Sequence, residues 1–281
     1  MNNYSMPKVS IVMVCYNAEK YIQAAIDSVV SQKYKNIEFI IVDGNSNDGT
    51  VSIIERNMDS VSKFISEPDD GQSDAFIKAF NLCTGDWLTW LNADDILMDG
   101  AIQTLVDAAH MHSDIDCFTG NVIWADEKLN VINCRKGEPW FSILPQMGYL
   151  NVYGPTTFFK RKLYDSVNGI DKRLHYQMDT DLWFQFFNKG ARFLRLKTYI
   201  WVLRVHDEAK TTAQYFDSDA NVEKFKAKMK EEREYIYRKN GVKPIKLGKI
   251  VLLFRRLCSI NYIFSIIESV FYKGKNYKRL G

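Results

Sequence analysis

Short apolar runs alternate with segments of helical periodicity over the first 125 residues of the chain. The first two runs, residues 9–14 and 39–42, are rich in valine and isoleucine and enclose residues 18–32, where apolar residues recur three and four apart. The alternation continues with predicted strands at residues 63–66, 87–91 and 117–124 and predicted helices at residues 51–58, 73–82 and 101–109. Strands that are apolar throughout and alternate with helices are typical of a parallel sheet that is covered on both faces. The pattern therefore predicts an α/β fold, an αβα sandwich with a mostly parallel central sheet.

The C-terminal part of the chain differs from the rest in charge. Residues 1–220 hold 21 basic and 29 acidic residues, a net charge of −8, whereas residues 221–281 hold 16 and 5, a net charge of +11. Residues 223–239 have the composition of a highly charged helix, and residues 250–271 are apolar with few charges. We therefore predict a main domain over residues 1–220 and a basic helical C-terminal extension over residues 221–281.

Length and composition exclude several classes of protein. The chain has 281 residues, of which 46% are hydrophobic and 25% charged, and these values are close to the averages of soluble folds. Its five cysteines include no Cys-X-X-Cys pair, which argues against a zinc cage and a disulfide framework and favours a reducing compartment. Residues 1–8 lack the features of a signal peptide, and the longest uncharged apolar stretch near the C-terminus, residues 257–267, has 11 residues where a membrane-spanning helix needs roughly 20. We therefore expect a cytoplasmic protein that does not cross the plasma membrane but can lie on its inner face.

Polar residues follow each of the first four predicted strands, at the edge where a parallel sheet binds its ligand. The segments are residues 15–17, 43–49, 67–71 and 92–95, and each contains an acid or an amide. No Gly-X-Gly-X-X-Gly follows the first strand and the chain has no Gly-X-X-X-X-Gly-Lys segment, so a dinucleotide-dependent oxidoreductase and a P-loop phosphate site find no support. A phosphate at this edge would have to be held by other means.

Asp94 and Asp95 stand next to each other at the end of the fourth predicted strand. Two carboxylates this close repel each other unless a cation lies between them. Mg²⁺ and Mn²⁺ prefer oxygen ligands and bind through one or two carboxylates together with substrate phosphates. The pair therefore predicts a divalent-cation site with a nucleoside diphosphate as partner, although a solvated turn or a helix N-cap explains the same residues.

Five motifs in a fixed order give the chain a family resemblance. They are residues 9–22 (VSIVMVCYNAEKYI), 41–50 (IVDGNSNDGT), 91–95 (LNADD), 178–183 (MDTDLW) and 203–206 (LRVH). Over about residues 8–215 the chain resembles the family 2 glycosyltransferases, whose A-type fold is a nucleotide-sugar-binding αβα sandwich. The resemblance implies that the main domain divides into a donor-binding half, about residues 8–125, and an acceptor half, about residues 126–220.

By the same resemblance, Tyr16 and Asp43 would face the nucleotide base, with the ring stacking on it and the carboxylate accepting the imide proton of uracil or thymine. The alternative for Asp43 is a turn-forming residue before a glycine. The residues that the resemblance assigns to the sugar-nucleotide donor are Cys15, Tyr16, Asn17, Glu19, Asp43, Asp70, Gly71, Asn92, Ala93 and Arg204. Asn92 stands at the first position of the family's Asp-X-Asp motif, where an amide can bond a ribose hydroxyl but brings no charge to a metal.

The resemblance further implies that Asp94, Asp95 and His206 hold Mn²⁺ or Mg²⁺. Arg204 and His206 match the family's Arg-X-His pattern, which makes His206 either a third metal ligand or a contact to the departing diphosphate. A lone histidine is as often a packed or surface residue, and this alternative stays open. Residues 210–212 follow on a loop and would close over the phosphates.

Asp179 and Asp181 are the remaining acids of interest. Two residues apart, they point in different directions in a strand and in a helix. A sugar hydroxyl is a poor nucleophile near neutral pH and needs a base, which a carboxylate can be when its pKa is raised. The family pattern aligns Asp179 with that base and leaves Asp181 to cap the helix that carries Leu182 and Trp183. The alternative is that both acids cap this helix.

The resemblance implies an inverting glycosyltransferase that moves a sugar from a nucleoside diphosphate sugar to a hydroxyl of a glycan or a lipid-linked acceptor. UDP- and dTDP-sugars are the favoured donors, bacterial surface polysaccharide synthesis is the expected setting, and no nucleic-acid partner is expected. A nucleotide-sugar-binding protein without turnover is the alternative that Asn92 keeps open. A nucleotidyltransferase would carry a Gly-rich phosphate loop near its first strand, which this chain lacks.

The basic extension points to a further partner. Its net charge of +11 and the apolar residues 257–267 predict reversible docking on an anionic membrane, where a lipid-linked acceptor would be found. The alternative is a helical appendage that packs on the main domain or on a second subunit.

Overall fold

The computed structural model describes residues 6–137, 143–146, 148–150, 152, 154–210, 219–244 and 259–280. These residues form one sheet of nine strands. In chain order the strands are β1 (Val9–Cys15), β2 (Ile37–Asp43), β3 (Lys63–Ser66), β4 (Trp87–Asn92), β5 (Ile96–Leu97), β6 (Cys117–Ala125), β7 (Val131–Arg135), β8 (Thr157–Lys160) and β9 (Phe193–Arg204). The order across the sheet is β3-β2-β1-β4-β8-β6-β9-β5, and β7 pairs with β6.

Helices cover both faces of this sheet. In chain order they are α1 (Ile22–Val30), α2 (Thr50–Arg56), α3 (Gln72–Leu82), α4 (Ala101–Met111), α5 (Ile143–Gln146), α6 (Arg161–Tyr164), α7 (Met178–Asn188), α8 (Asp219–Lys239) and α9 (Ile260–Tyr272). The predicted αβα sandwich is therefore confirmed.

The first four strands pair in parallel, with β1 between β2 and β4, as the apolar runs predicted. Beyond β4 the sheet becomes mixed, because β8 runs antiparallel to both β4 and β6 and β5 runs antiparallel to β9. The sequence pattern did not indicate β5, β7, β8 and β9. In strand β9 (FLRLKTYIWVLR), Arg195 and Lys197 interrupt the apolar run, so the strand lacks the signature of one that is buried on both faces.

Alternate residues of β1 face opposite layers of helices. Ile11 and Met13 belong to the core that contains α1 and α4, whereas Val12 and Val14 belong to the core that contains α3 and α7. All four side chains are buried. Because both faces of β1 are covered, every position favours an apolar residue, and the carboxyl end of the strand is where polar residues can begin.

The two C-terminal helices contact the main domain. Ile236 of α8 is fully buried in the core that contains α3 and α7. Helix α9 lies along β7, where the Ser269 hydroxyl accepts a 2.8 Å hydrogen bond from Cys134 N. The alternative of an appendage that packs on the main domain therefore describes both helices. Residues 245–258, which hold part of the predicted docking segment, lie outside the described residues.

None of the helices in the described part of the chain combines the length and the apolar character that a bilayer crossing requires.

Candidate active site

The chain changes sides of β1 between β3 and β4. Strands β2 and β3 extend the sheet outward from one side of β1, and the chain then returns to place β4 on the other side. The loops that follow β1 and β4 therefore leave adjacent strand ends in opposite directions and open a crevice between them. Such a switch point is where an open parallel sheet binds its ligand. A cavity of about 700 Å³ lies at this position.

Most of the predicted site residues line this cavity. Seven of the ten predicted donor-binding residues and all three predicted metal ligands are on its wall, namely Cys15, Tyr16, Asn17, Gly71, Asn92, Ala93, Arg204, Asp94, Asp95 and His206. The wall residues do not include Glu19, Asp43, Asp70 or the predicted base Asp179. The fold thus brings together four segments that are far apart in the sequence.

The loops after β1 and β2 are fastened to each other by polar side chains. Asn17 has a φ of +49°, in the left-handed region that asparagine tolerates, and its N–H donates to the Ser46 hydroxyl at 2.8 Å. Glu19 Oε2 accepts a hydrogen bond from Gly49 N at 2.6 Å. Glu19 therefore joins the two loops instead of facing the cavity, and Tyr16 is left 62% exposed on the cavity wall.

Asp43 is fully buried beneath these loops. Its carboxylate accepts hydrogen bonds from Ser46 N (2.9 Å), the Ser46 hydroxyl (2.5 Å), the Ser66 hydroxyl (2.7 Å) and the Cys15 thiol (3.5 Å). The bond from Ser46 N, three residues further on, matches the turn-forming alternative for Asp43. Burial raises the pKa of Cys15 well above its usual value, so this thiol stays neutral. The contact between Asp43 and a nucleotide base stays a prediction.

The third loop reaches the cavity through Asp69. A Cβ on Gly44 would lie 2.6 Å from Asp69 Oδ2, so a side chain at this position would displace the carboxylate. Asp69 Oδ1 accepts a 2.7 Å hydrogen bond from the N–H of Gly71. Gly71 has a φ of +103° and is the N-cap of α3. Asp70 is exposed, and its Oδ2 lies 3.9 Å from Lys172 Nζ. The cavity wall therefore contains Asp69 and not the predicted Asp70.

Asp95 is buried below the loop that follows β4, with 1% of its surface exposed. Its Oδ1 accepts a hydrogen bond from Arg204 N at 2.9 Å, and its Oδ2 accepts one from Asn92 Nδ2 at 2.7 Å. Burial, reinforced by the charge of Asp94, raises the pKa of Asp95 well above its usual range. Asp95 therefore ties the fourth loop to the end of β9.

The guanidinium of Arg204 is held between two backbone carbonyls. Nε donates to Asp94 O and Nη1 donates to Glu127 O, both at 2.7 Å, and the group lies 4.8 Å from the centre of the Tyr21 ring. The remaining nitrogen, Nη2, is buried and has no hydrogen-bond partner among the described residues. A buried guanidinium nitrogen with an unused donor on a cavity wall favours an anionic ligand there.

Asp94 is the accessible member of the acid pair. Its side chain is 29% exposed, and its Oδ2 lies 3.1 Å from Nε2 of His206, whose ring packs 4.5 Å from the ring of Tyr21. Asp207 and Glu208 bring further carboxylate oxygens within 4.8 Å of a His206 nitrogen, and Glu208 is also on the cavity wall. A carboxylate and an imidazole side by side, with more carboxylates near, form a donor set that fits Mn²⁺ or Mg²⁺.

Lys210 brings another positive charge to the cavity wall. Its Nζ donates to Gln72 Oε1 at 2.9 Å and lies 5.5 Å from the centre of the Tyr176 ring. Burial lowers the pKa of Lys210 to about 8. Thr211 and Thr212, which we predicted to close over the phosphates together with Lys210, lie outside the described residues.

Asp179 lies in the first turn of α7, close to Gly154. A Cβ on Gly154 would lie 3.2 Å from Asp179 Oδ2 and 2.8 Å from the Trp90 ring, so the absence of a side chain permits this close approach. Asp179 Oδ1 accepts a 2.6 Å hydrogen bond from Thr180 N. Burial nevertheless raises the pKa of Asp179 above its usual value. A raised pKa is what a carboxylate needs to act as a base near neutral pH.

Asp181 does not cap α7, and the prediction that it does is wrong. The N-cap residue, Gln177, makes no side-chain capping bond, and Asp181 bonds to other side chains and not to a first-turn N–H, so the alternative in which both acids are caps is wrong as well. Asp181 is fully buried, with Oδ2 2.6 Å from Lys239 Nζ and Oδ1 accepting from Asn240 Nδ2 at 2.8 Å. It anchors α7 to α8. The sequence alone gave no sign of this long-range pairing.

Glu232 of α8 holds the segment that leads into α7. Its carboxylate accepts the backbone N–H groups of His175, Tyr176 and Gln177 at 2.8, 3.0 and 3.0 Å. We expect Glu232→Gln to lower the free energy of unfolding, measured in urea, by about 1–3 kcal/mol, because a neutral amide replaces charge-assisted bonds in a buried position. Glu231→Gln changes the exposed neighbouring residue and is the control. An equal loss of stability in the two variants would contradict this role of Glu232.

Several wall residues were not among the predicted site residues, and Tyr21, Tyr176 and Asp69 are three of them. Tyr21 falls on the apolar face of the predicted first helix, and Tyr176 stands in no motif, so neither differs in sequence from an ordinary core aromatic residue. Asp69 did carry a signal. It stands two residues before Gly71, the spacing at which an aspartate accepts a backbone N–H and turns the chain.

The sequence is similar to those of known glycosyltransferases. The model of the family described as Glycosyl transferase family 2 matches residues 10–162, which is more than half of the chain. An uncharacterized glycosyltransferase of Rickettsia typhi is 30% identical over 220 residues, or 75% of this chain and 67% of that relative.

Solved structures share the fold. S. aureus TarS in complex with UDP-GlcNAc superimposes with a TM-score of 0.59 at 16% identity, over 73% of this chain and 60% of that chain. The mannosyltransferase PcManGT from Pyrobaculum calidifontis in complex with GDP-Man and Mn²⁺ has a TM-score of 0.57 at 15% identity, over 96% of this chain and 86% of that chain. At these identities the likeness shows the fold alone, and it confirms the predicted A-type fold. The chain covers about three fifths of the TarS 1-349 chain in this complex and 37% of a longer TarS chain.

Proposed function

The chain belongs to glycosyl transferase family 2, and on this premise we propose that it transfers one sugar from a nucleoside diphosphate sugar to an acceptor hydroxyl with inversion at the anomeric carbon. The observation that carries the proposal is the wall of the switch-point cavity. There Asp94 and His206 stand 3.1 Å apart, and the buried Nη2 of Arg204 has no hydrogen-bond partner in the part of the chain that the structure describes. A diphosphate would supply the negative charge that pairs with the guanidinium of Arg204, and a divalent cation would supply the positive charge that pairs with the carboxylate of Asp94.

The nucleotide base would occupy the part of the cavity between the first and third loops. The exposed ring of Tyr16 offers a stacking surface, and Asp69 is the carboxylate on this wall that can accept an imide proton. The predicted contact between Asp43 and the base remains part of the proposal, and Asp43 would also support the loop from below through its bonds to Ser46 and Ser66. UDP- and dTDP-sugars remain the favoured donors, and the UDP-GlcNAc complex of the TarS structure supports the first of them.

Asp94 and His206 would hold Mn²⁺ or Mg²⁺, and the Mn²⁺ in the PcManGT complex supports this choice. The ion, when bound, neutralises negative charge that grows on the departing diphosphate. For Asp95, which we predicted as a further metal ligand, we propose a positioning role instead, because its oxygens bind Arg204 N and Asn92 and so fix the loop that carries Asp94. Donor contacts by Asn92 and Ala93 remain part of the proposal.

The acceptor would bind in the half formed by residues 126–220, beside Asp179. We assign Asp179 as the base that removes the hydroxyl proton while the acceptor oxygen forms a bond to the anomeric carbon. The bond between that carbon and the diphosphate oxygen breaks in the same displacement, on the opposite face of the sugar. A positive charge on Lys210 and the guanidinium of Arg204 would stabilise the leaving diphosphate.

The expected setting is bacterial surface polysaccharide synthesis, with a glycan or a lipid-linked carrier as acceptor on the cytoplasmic side of the plasma membrane. Residues 221–281 would form an extension beyond the catalytic domain. The charge and apolar surface of that extension support this location.

A thermal-shift panel tests the proposed activity most simply. The protein is heated with UDP-, dTDP- and GDP-sugars, each with Mn²⁺ and again with EDTA, because a ligand that binds only the native state raises the melting temperature. We expect a UDP- or dTDP-sugar to give the largest rise, and only with the metal. A panel without any rise would contradict the proposed function.

A further inference from the structure

Helix α9 turns its polar face toward the protein and its apolar face outward. The inward positions recur three and four residues apart, as on one side of a helix, and are Asn261, Ser265, Glu268, Ser269 and Tyr272. The outward side chains are large and apolar, between 37% and 75% exposed, and are Tyr262, Ile263, Phe264, Ile266, Ile267, Val270 and Phe271. A helix on a water-exposed surface has the opposite arrangement.

Polar contacts with β7 and with Lys136, the residue that follows it, fix this orientation. Ser265 Oγ accepts a hydrogen bond from Lys136 N at 2.9 Å, and Ser269 Oγ accepts one from Cys134 N at 2.8 Å. Glu268 Oε1 lies 2.6 Å from Lys136 Nζ. Rotating α9 to bury its apolar face would break these bonds and leave the N–H groups of an outer strand unpaired. The outward apolar face is therefore built into the fold.

The size of this face separates it from the rest of the described surface. Other exposed large apolar residues are far apart in the chain, such as Val30 in α1, Met58 in the 3-10 turn Met58–Ser60 and Met111 in α4. The seven exposed apolar residues of α9 lie next to one another on one side of a single helix. A contiguous apolar patch of this kind marks a surface that contacts an apolar partner.

The charge around the face favours an anionic bilayer as that partner. Residues 259–280 contain four basic residues and one acid, Glu268, which is paired with Lys136. Lys275 Nζ lies 3.9 Å from the centre of the Phe271 ring, at the edge of the apolar face. Residues 245–258, next in sequence, add four basic residues and no acid. Two copies of the face brought together would bring like charges together, whereas anionic lipid headgroups would neutralise them.

We propose that α9 is a membrane-docking helix whose outward face enters the headgroup region of an anionic bilayer. This narrows the predicted docking of the C-terminal extension to one helix and one face. An apolar face bordered by lysines on a helix too short to span is the composition of an interfacial helix. The docking does not depend on the transferase activity, since no residue of the switch-point cavity takes part in it.

Vesicle flotation tests the proposal with the full chain. We expect the protein to float with vesicles of phosphatidylglycerol and phosphatidylcholine at low salt, less at high salt, and not with phosphatidylcholine alone. In the variant Ile263→Ser/Ile267→Ser/Val270→Ser the bound fraction should fall roughly tenfold, since the apolar contact area is lost while the basic residues remain. The single variant Val270→Glu tests the most exposed position of the face with the least change to the helix.

The matched control is Val30→Ser/Met58→Ser/Met111→Ser, which removes the same kind of exposed side chain elsewhere and should float like the wild type. All variants should keep the wild-type melting temperature and elution volume. A wild-type protein that stays unbound at low salt would overturn the proposal, as would equal flotation of the α9 variants. A wild-type dimer that the α9 variants convert to a monomer, with no flotation of either, would identify a second copy as the occupant and also overturn it.

Discussion

Replacing Asp94 by asparagine is expected to lower sugar transfer by roughly 10²–10³-fold in Mn²⁺. Asparagine matches aspartate in size and can keep the 3.1 Å hydrogen bond to His206 Nε2, so the cavity wall stays in place. The variant loses the negative charge that a divalent cation requires. The rate is measured as release of nucleoside diphosphate in the presence of acceptor, and the affinity for UDP is measured in the same buffer.

Asp59→Asn is the control for Asp94→Asn, because Asp59 is an exposed acid in the 3-10 turn Met58–Ser60. Asp95→Asn should also lower transfer, but with a lower melting temperature, since Asp95 joins the fourth loop to Arg204 N. Full activity of Asp94→Asn, or a wild-type rate that EDTA leaves unchanged, would contradict the assignment of a metal to Asp94 and His206.

Replacing Asp179 by asparagine is expected to lower transfer by roughly 10² or more while the affinity for donor changes little. The side chain keeps its shape beside Gly154 but cannot take a proton from the acceptor hydroxyl. The pH dependence of the transfer rate is an independent test of this role. Because burial raises the pKa of Asp179, the wild-type rate should rise with pH through a value above that of an ordinary aspartate, and Asp179→Asn should lack this rise.

The matched control for Asp179→Asn is Asp181→Asn, two residues further along α7. Asp181 bonds to Lys239 and Asn240, so its change should reduce stability by about 1–3 kcal/mol with the proton-transfer step intact. An inactive Asp181→Asn with an unaffected pH profile in Asp179→Asn would move the base to Asp181.

The sequence could predict β1, β2 and β4 because both faces of these strands are buried and their residues form mainly apolar runs, and it could predict the short β3 from its place in the alternation of strands and helices. It could not predict β9, since Arg195 and Lys197 interrupt its apolar pattern and only the assembled sheet explains its burial. The contacts of the C-terminal helix α8 could not be predicted either. The charge of α8 was visible, but its bonds from Glu232 and Lys239 to the segment around α7 join residues more than fifty positions apart.

For the candidate site, the sequence could predict where residues lie but not what each side chain does. Parallel strands end at one edge, so the residues after β1 and β4 could be expected to meet, and Tyr16, Asn92 and Asp94 do line one cavity. The roles within the loops could not be predicted. Whether an acid faces the cavity or fastens a loop depends on side-chain partners, which is why Glu19 bonds to Gly49 N and lies off the wall.

Calorimetric titration of the wild-type protein with UDP in Mn²⁺, repeated in EDTA, tests the central claim most directly. The claim is that the switch-point cavity binds a nucleoside diphosphate through a cation at Asp94 and His206 and through the buried guanidinium of Arg204. It predicts saturable binding at a single site in Mn²⁺ that EDTA weakens at least roughly tenfold, since the cation carries part of the contact with the diphosphate. The absence of binding by UDP, dTDP and GDP alike, or an affinity for UDP that is the same in Mn²⁺ and EDTA, would contradict it.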